Sequence, residues 1–587
     1  MRKRVTVLAI AVLALLVVAG CGGSSNKSSS GSSSASTTAA QGAKKGGNLI
    51  VMSASDVDSL DPGYWYYQYD YMALAEPTQR GLYGWTADGE TPTPDLATGQ
   101  PAVSNGGKTI TIKIRPGIKY SPGPVTRTVK SADFKYAMER CFLPQVGNGY
   151  VNAYFSNLSG LKNYTSGKSK EISGITTPDD QTIVFNFDKP QGAALQALAL
   201  PCTVPVPKEY AQKYDSGKQS TYGQHQVFTG PYMIKGAESG NVKAGYIPGK
   251  TIALVRNPNW GGSKQGDYRP AYVDTITFKG GNDLSVASRA ILTGQNMISG
   301  DFAAPPTAQL KAALQSKKDQ VAIIPGGSYR NISMNTAIPP FNNENLRKAV
   351  IAATNRNALI QTRGGPTLGK PATHLIPPGM GGFEEAGGYG TKYDYYKNPN
   401  GDPAVAKKYM AAAGFPSGKY NGPEILMIGD NQPPASKTGE AFLQTLQGLG
   451  FKVRYRQVPH DVMYSKYCQV PKAKVQICPN TAWGKDFFDA ESMLNPTFNG
   501  KNIVPTGNVN YPQWNDPQTN AAMDKAQQLT DQAARNKAWA AIDDTMMKKA
   551  ATLVWIWDND VNIRSANVNG VQNKFNASWD PTYTSIK

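Results

Sequence analysis

Alternating hydrophobic and polar positions mark the strands that the sequence predicts. Residues 108–114, KTITIKI, alternate strictly, as in a strand with one buried and one exposed face. Short apolar or alternating runs predict further strands at 48–52, 182–187, 251–256, 272–279 and 451–456. No internal repeat of solenoid or propeller length occurs, so neither architecture is predicted.

Helical spacing of apolar residues covers other parts of the chain. Residues 344–359, ENLRKAVIAATNRNAL, predict one long amphipathic helix with Asn343 as its N-cap. A helix at 131–140 is predicted to have Ser131 as N-cap and Asp133 in its first turn. Further helices are predicted at 403–413, 439–449, 516–529 and 533–550. Strands and helices alternate irregularly, which favours an α/β or mixed α+β body with several lobes.

The N-terminus has the layout of an export signal. Three basic residues at 2–4 precede an apolar stretch, 5–19, that is shorter than a membrane-spanning helix needs. The stretch ends in VAGC, residues 18–21, which resembles the lipobox of bacterial lipoproteins. That resemblance implies a signal peptide at 1–20 and a lipid on Cys21. An ordinary secretory signal is the alternative.

A polar segment follows the signal. Residues 21–47 are rich in Ser and Gly and have almost no large apolar side chains. Such a segment cannot offset the entropy of becoming ordered, so it is predicted to be a flexible tether. A lipid and a tether would hold the folded body at the extracytoplasmic face of the bacterial cell membrane.

The composition is that of a globular protein. Of the 587 residues, 40% are hydrophobic and 18% are charged, which excludes a disordered, collagen-like or multi-span membrane protein. Lys and Arg outnumber Asp and Glu by 61 to 42, giving a formal net charge of +19. The charges are scattered and no recognition motif accompanies them. A basic surface is therefore predicted rather than a nucleic-acid partner.

The cysteine count fits an oxidising compartment. If Cys21 carries a lipid, four cysteines remain for two disulfides. Three pairings are possible, and the sequence-local one joins Cys141 to Cys202 and Cys468 to Cys478. No CxxC motif occurs, and the three histidines show no ligand spacing with the cysteines, so no metal site is predicted.

Short motifs along the body occur in an order that resembles one protein family. They include 59–62 (SLDP), 94–97 (PDLA), 114–120 (IRPGIKY), 229–232 (TGPY), 256–260 (RNPNW), 346–350 (LRKAV), 412–416 (AAGFP) and 483–486 (WGKD). Together they are similar to the large extracytoplasmic solute-binding proteins of ABC importers, and most of all to the peptide-binding branch. The resemblance implies a monomeric receptor that captures peptides and delivers them to an ABC-transporter permease.

The family fold has two lobes of the periplasmic-binding-protein kind and an extra inserted domain. The resemblance places domain I at 48–88, 222–327 and 552–587, domain II at 89–221 and domain III at 328–551. Each sequence-local disulfide would then lie within one domain. That arrangement suits a protein whose lobes open and close around a ligand.

The resemblance also points to an acid that binds a ligand ammonium. In the peptide-binding branch this acid follows a tryptophan by three residues, a spacing that Trp483 and Asp486 share. A peptide ammonium in a closed cleft needs a fixed carboxylate, because unpaired buried polar groups are costly. Asp489 is the nearby alternative. The stretch after Trp483 departs from the branch in lacking its prolines.

Aromatic residues are the other candidates for ligand binding. In the family, the stretch that matches 64–71 lies on domain I and faces the cleft. Tyr64, Trp65 and Tyr66 are therefore expected to stack on the ligand and to bind it by hydrogen bonds. Domain II is expected to contribute Tyr154 or Tyr150. Ordinary core packing is the alternative for all of these side chains.

Two other functions remain open from the sequence. The aromatic cluster would also suit a receptor for an oligosaccharide or another small solute. A secreted two-lobed hydrolase is the second alternative, since the many acids could include a catalytic pair. No GxSxG or HExxH motif occurs, however, and we expect no catalytic residue and no cofactor.

Overall fold

The structure, a computed structural model, describes residues 42–300 and 303–587. The predicted signal peptide, Cys21 and the tether up to residue 41 lie outside these residues. Among the helices that are described, none has the length and apolar composition that a membrane span requires. The described chain forms two lobes and an inserted domain, with separate sheets and hydrophobic cores.

The sheet of the first lobe draws its strands from segments far apart in the sequence. Its order is Met297–Ser299, Asn48–Met52, Thr275–Lys279, Thr251–Arg256 and Tyr232–Ile234, with Tyr246–Ile247 paired to Thr251–Arg256. The N-terminal strand runs parallel to both neighbours, and the remaining pairs are antiparallel. Leu49 and Val51 are fully buried in the core beneath this sheet.

The inserted domain has a four-stranded antiparallel sheet. Its order is Ala102–Ser104, Thr109–Lys113, Thr182–Asn186 and Ile175–Asp179. Ile110 and Ile112 are buried in the core, whereas Thr109 and Thr111 are partly exposed and Lys113 is exposed. The strict alternation at 108–114 therefore predicted the strand and its buried face correctly.

A second six-stranded sheet forms the second lobe, and its two longest strands extend to the first lobe, where Val321 and Val561 pack with Met52 and Ile291. Its order is Gly369–Pro371, Leu553–Ile563, Val321–Met334, Ile477–Gly484, Ile425–Asp430 and Val453–Val458. The two longest strands, Val321–Met334 and Leu553–Ile563, are antiparallel neighbours. Their pairing is interrupted between Pro325 and Tyr329, where the first strand bulges. The domain border expected at 327/328 falls within this interruption.

Helices cover the sheets. Those of eight or more residues are Ser131–Cys141, Leu284–Thr293, Thr307–Ser316, Glu344–Ala353, Arg356–Arg363, Pro403–Ala412, Ala435–Gly448, Glu491–Phe498, Pro517–Ala526 and Gln532–Lys548. Shorter α-helices are Gln68–Asp70, Glu76–Thr78, Val151–Phe155, Leu161–Thr165, Ala194–Ala197, Lys208–Ala211, Asp394–Lys397 and His460–Val462, and two π-helical segments are Tyr71–Ala75 and Met463–Cys468. Small two-stranded pairs join Tyr83–Gly84 to Thr93–Pro94, Val568–Asn569 to Ser585–Ile586 and Gln572–Asn573 to Ser578–Trp579.

The single helix predicted at 344–359 is wrong. Two helices are present, Glu344–Ala353 and Arg356–Arg363. Asn355 adopts an extended conformation between them, and its side chain accepts a 2.8 Å hydrogen bond from the backbone N–H of Ala358. The helical spacing of apolar residues continues across the break, so the pattern did not reveal it. The side chain of Asn355 caps the second helix and satisfies backbone N–H groups that a continuous helix would have paired internally.

The predicted N-cap of the helix at 131 is also wrong. Ser131 is the first helical residue, and Lys130 occupies the N-cap position. The carboxylate of Asp133 accepts a 2.9 Å hydrogen bond from the backbone N–H of Lys130. The acid in the first turn therefore satisfies the helix start in place of the serine hydroxyl.

Two disulfides are present, and they are the sequence-local pair. Cys141 joins Cys202 with an S–S distance of 2.13 Å, and Cys468 joins Cys478 at 2.06 Å. The second disulfide connects the π-helical segment Met463–Cys468 to the strand Ile477–Gly484. It therefore fixes that segment beside the strand that leads to Trp483.

Candidate ligand-binding site

Three distant parts of the chain meet at one carboxylate. Asp486 lies two residues beyond the end of the strand Ile477–Gly484, in the second lobe. The hydroxyl of Tyr154, from the inserted domain, donates a hydrogen bond to its Oδ2. The hydroxyl of Tyr66, from the first lobe, donates a second one. A single side chain of the second lobe thus contacts both other parts of the molecule.

Trp483 forms a rigid wall beside this carboxylate. It pairs in the sheet with Tyr329 on the strand Val321–Met334. Its indole Nε1–H donates a 2.8 Å hydrogen bond to the carbonyl of Ser492, which fixes the ring. The Tyr66 ring meets it edge-on, with 6.3 Å between the ring centroids. The tryptophan therefore packs against the same tyrosine that binds Asp486.

The charge of Asp486 lacks a cationic partner among the residues that the structure describes. Burial raises the pKa of Asp486 to about 7, although the hydrogen bonds from Tyr154 and Tyr66 act in the opposite direction. A buried carboxylate that has hydrogen-bond donors but no cation is well suited to accept one from a ligand. This is the electrostatic feature that an ammonium-binding site requires.

Asp489, the alternative acid, is in a different situation. Nε and Nη2 of Arg535 lie 2.9 Å and 2.8 Å from its two carboxylate oxygens. Burial alone would raise the pKa of Asp489, but the Arg535 guanidinium holds it below the usual value. Arg535 also bonds Glu491 at 2.7 Å. Asp489 is therefore neutralised within the second lobe and has no free charge for a ligand.

The structure does not bring Tyr64 and Trp65 to this site. Trp65 is fully buried in the core of the first lobe, and its Nε1–H donates to the carbonyl of Ser59 at 2.9 Å. Tyr64 is partly buried, and burial and the charge of Asp58 raise its pKa. Of the six residues expected to bind ligand, four therefore lie together, namely Asp486, Trp483, Tyr66 and Tyr154.

Further aromatic residues extend the wall. Tyr67 belongs to the stretch 64–71 that the sequence predicts to face the cleft, whereas Tyr464 and Tyr511 were not singled out by the sequence. Tyr464 and Tyr511 of the second lobe are 5.6 Å apart between ring centroids. Tyr67 of the first lobe lies close enough to contribute to the raised pKa of both, and it is 61% exposed. Their positions in the sequence share no motif. The one available signal was the Cys468–Cys478 disulfide, which holds the segment of Tyr464 against the strand Ile477–Gly484.

Metal-binding chemistry is not evident in the described parts of the chain. Within residues 42–300 and 303–587, no three His, Cys, Asp or Glu side chains form a group that could hold a metal ion. The site around Asp486 is built from one carboxylate, tyrosine hydroxyls and aromatic faces. Groups of these types are suited to an organic solute, through charge, hydrogen bonds and stacking.

Two lobes with an inserted domain are the architecture of the extracytoplasmic solute-binding proteins. Residues 91–505 match the family described as bacterial extracellular solute-binding proteins, family 5 Middle. The chain belongs to this family. The fold expected from the sequence motifs is therefore confirmed.

Known proteins resemble the chain over almost its whole length. The glutathione-binding protein GsiB of Salmonella typhi is 26% identical over 527 residues, which are 89% of this chain and 91% of that protein. The solved structure of clavulanic acid biosynthesis oligopeptide binding protein 2 has a TM-score of 0.81 and 26% identity, covering 92% of this chain and 96% of its own. The periplasmic binding protein DppA from Helicobacter pylori, in complex with the peptide STSA, has a TM-score of 0.73 and 18% identity, with 92% and 98% covered. The last of these likenesses bears on the fold alone.

Proposed function

We propose that this protein is the lipid-anchored substrate-binding protein of an ABC importer. It captures a peptide outside the membrane and delivers it to the permease, and it performs no chemistry itself. Its relatives are binding proteins, one of which is named for glutathione and another for oligopeptides. A short peptide, or a small peptide-like solute such as glutathione, is the ligand class that fits both names.

The observation that carries this proposal is the buried carboxylate of Asp486, which has no cationic partner within residues 42–300 and 303–587. A peptide ammonium would supply the missing positive charge, and Tyr66 and Tyr154 would orient the carboxylate toward it. Trp483 would pack against the first residues of the peptide. Asp486, Tyr66 and Tyr154 come from different parts of the chain. Binding of a ligand at Asp486 would therefore favour the closed arrangement of the lobes.

The division into lobes suggests where the molecule bends. We propose domain I at 48–88, 222–327 and 552–587, domain II at 89–221 and domain III at 328–551. The strand Val321–Met334 loses its regular pairing between Pro325 and Tyr329, and local irregularity of this kind can absorb a change in backbone angles. Opening about this interruption would separate Asp486 from Tyr66 and Tyr154.

Anchoring is proposed from the sequence at residues 18–21. Lipidation of Cys21 would place the folded body at the extracytoplasmic face of the cell membrane, within reach of a permease. The rest of the chain would remain a monomer tethered by residues 21–47.

The alternative ligand is an oligosaccharide. The observation that favours it is the aromatic wall of Tyr67, Tyr464 and Tyr511, since aromatic faces stack on sugars as well as on peptides. The two ligand classes differ in charge, however. A neutral sugar would leave the carboxylate of Asp486 buried without a counter-charge, whereas a peptide would not.

The test is to identify the bound solute and then to remove one charge at a time. Native mass spectrometry of the freshly purified protein should release a peptide of unchanged mass. Calorimetry with that peptide should show that N-acetylation weakens binding to the parent protein by about 100-fold to a few thousand-fold, the cost of breaking a buried charge pair. The same acetylation should have little effect on Asp486→Asn. Equal binding of both peptide forms to the parent, or release of a neutral sugar, would remove the peptide assignment.

A further inference from the structure

One edge of the second lobe carries a concentration of positive charge. Residues 452–474 contain six Lys or Arg and one acid, Asp461, whereas the remainder of 328–551 contains 19 Lys or Arg and 16 acids. This short segment therefore supplies most of the excess positive charge of that region. We call the following six residues the basic face: Lys452, Arg454, Arg456, Lys466, Lys472 and Lys474.

The strand Val453–Val458 presents the first half of the basic face. It is the last strand in the order of its sheet, and among the described strands it pairs on one side only. The cations at positions 452, 454 and 456 are exposed, and alternate residues of a strand point to the same face. Tyr455 between them points to the other face, where its hydroxyl lies against Gly439 of a helix. The cations thus stand on the side of the sheet that this helix does not cover.

The π-helical segment Met463–Cys468 packs on the same side of the sheet. The guanidinium of Arg456 lies over the ring of Tyr467, 5.6 Å from the ring centroid. This contact places the segment beside the outward-facing cations of the strand. Lys466, the neighbour of Tyr467, is exposed there. It adds a fourth positive charge to the three on the strand.

The loop closed by the Cys468–Cys478 disulfide brings the last two cations, at positions 472 and 474, to this region. The end of the loop is fixed by Gln476, whose backbone N–H donates a 3.1 Å hydrogen bond to the carbonyl of Leu426. The side-chain oxygen of Gln476 accepts a 2.9 Å hydrogen bond from the N–H of Leu426 in return. Leu426 is the sheet partner of Arg454, so the loop returns next to the basic strand.

Little negative charge offsets the basic face. Glu424 lies 3.7 Å from Arg454, but both side chains are more than half exposed, and water screens such a pair. Asp461 is the one acid within the segment itself. Glu440, on the helix side of the strand, is bound to Lys437 at 3.0 Å. Six cations against two nearby acids leave the face clearly positive.

The proposed anchor would bring an anionic surface within reach of this face. Residues 22–41 separate Cys21 from the first described residue, Gly42. A chain of that length spans at most about 70 Å when it is fully extended. The tether would therefore limit the distance of the body from the bilayer without choosing which face meets it. Attraction of Lys and Arg to anionic headgroups can make that choice.

We propose that the basic face docks on the anionic lipid surface of the membrane and so orients the tethered body. The partner is a bilayer, because the cations form a broad exposed surface on flexible side chains, which suits many mobile headgroups. The lipid anchor of the proposed function brings the face to the membrane, but the attraction itself does not depend on the anchor or on a bound solute. Without an anchor, dilution or salt releases a contact made by charge alone.

Docking leaves the ligand-binding site free. The strand Val453–Val458 runs parallel to Ile425–Asp430, which runs parallel to Ile477–Gly484. Asp486 follows the last of these strands, so it lies beyond their carboxyl ends, whereas the basic face lies along the side of the edge strand. Solute capture and membrane docking can therefore occur together. Loss of the basic face should leave peptide affinity unchanged.

An ordinary solvated surface is the competing explanation. Charged side chains on an edge strand also prevent it from pairing with the strands of another chain. The two explanations differ in their response to lipid charge. A solvated surface is indifferent to the headgroups of a vesicle, whereas a docking face distinguishes anionic from neutral lipid and loses that distinction in high salt.

The test uses the chain from residue 22 onward, which keeps every described residue and both disulfides but has no lipid. Sedimentation measures its binding to vesicles of phosphatidylcholine, with and without about 40% phosphatidylglycerol. At about 25 mM salt, the anionic vesicles should bind the protein at least about tenfold more strongly, and at about 500 mM the difference should vanish.

A matched pair of variants locates the contact. Lys452→Gln, Lys472→Gln and Lys474→Gln, combined in one protein, should weaken binding to the anionic vesicles by about tenfold or more, since each cation near such a surface contributes up to about fivefold. The control protein combines Lys162→Gln, Lys168→Gln and Lys170→Gln, at exposed positions of the inserted domain. It loses the same net charge and should bind within about twofold of the parent.

Each outcome decides the proposal. Equal binding of the parent to neutral and anionic vesicles, or equal losses in the two variants, would overturn it. Binding to native membranes that needs the same lysines, without binding to lipid vesicles, would make the face a docking surface for a membrane protein and would also overturn it. Lipid composition and salt test the parent itself, so the result does not depend on how the variants fold. Peptide affinity is measured separately, and the proposed function stands or falls on that measurement alone.

Discussion

Ligand affinity is expected to fall as the pH is lowered from 7 to 5, because protonation of Asp486 removes the charge that we propose binds the ligand ammonium. In the ligand-free protein, burial raises the pKa of Asp486 to about 7. A ligand ammonium favours the ionised form, so binding must lower this pKa. Binding below pH 7 is therefore coupled to the release of a proton.

The size of the effect follows from the pKa. With a value of about 7, roughly half of the carboxyl groups are ionised at pH 7 and about 1% at pH 5. If only the ionised form binds, affinity falls about 50-fold over this interval, or about 2.3 kcal/mol. The interval ends at pH 7, because the ligand's own ammonium begins to lose its proton near pH 8.

The pH dependence of folding stability agrees with the expected pH dependence of ligand affinity. A carboxyl whose pKa is higher in the folded protein than in the unfolded chain stabilises the fold fully below pH ~4, and this stabilisation is lost as the pH rises through 7. A bound ammonium stabilises the ionised carboxylate of Asp486 and so restores the folding stability that is lost when this group ionises. The increase in melting temperature that the ligand causes should therefore be larger at pH 7 than at pH 5.

Calorimetry at pH 5, 6 and 7 checks the prediction. At pH 6 about 0.9 proton per ligand should be released, and this appears as a binding enthalpy that differs between buffers of different ionisation enthalpy. Asp486→Asn is the control, because Asn keeps an acceptor for Tyr66 and Tyr154 but cannot titrate. Lys485, Asp560 and Asp70, with pKa values of about 8, about 7 and about 7, remain in that variant, so the pH dependence that it retains is the background from groups other than Asp486. Affinities at pH 5 and pH 7 that agree within threefold in the parent would refute the reasoning.

Three further predictions concern the rest of the molecule. Cys21→Ala should release the protein from membranes without changing its melting temperature, and membrane fractionation decides this; a variant that stays bound would contradict lipid anchoring. Thiol labelling of the denatured, unreduced mature body should find no free cysteine, since the four described cysteines are paired. Arg140 is fully buried and binds Asp61 at 2.6 Å and Asp215 at 2.7 Å, so Arg140→Met should lower the free energy of unfolding by about 3–5 kcal/mol in a denaturant titration. Lys437→Met, at an exposed pair, should cost under about 1 kcal/mol, and similar losses for both variants would contradict the argument.

Local patterns predicted the elements of this protein well. Strands at 48–52 and 251–256 have the predicted bounds, because alternation and apolar runs reflect which side chains a strand buries. The ordered motifs predicted the two-lobed fold with its inserted domain. The predicted helix at 344–359 is in fact two, because one capping side chain, Asn355, interrupts an otherwise suitable apolar pattern.

The site was predicted only in part, and the reason is physical. The spacing of Trp483 and Asp486 is local, so the sequence alone indicated both. Whether an acid is available for a ligand depends on its neighbours in space, and only the tertiary structure shows that Arg535 neutralises Asp489 while no described cation neutralises Asp486.

The same distinction applies to the aromatic and basic residues. Trp65 and Tyr66 are adjacent in the sequence, yet one is buried in the core of the first lobe and the other bonds Asp486. Arg330 and Arg363 come from different elements, and both approach Asp558 in the folded chain. Local sequence determined the elements and the family, because periodicity and short motifs are local properties. Tertiary structure decided the charge balance of the site, because burial and pairing depend on residues that are distant in the chain.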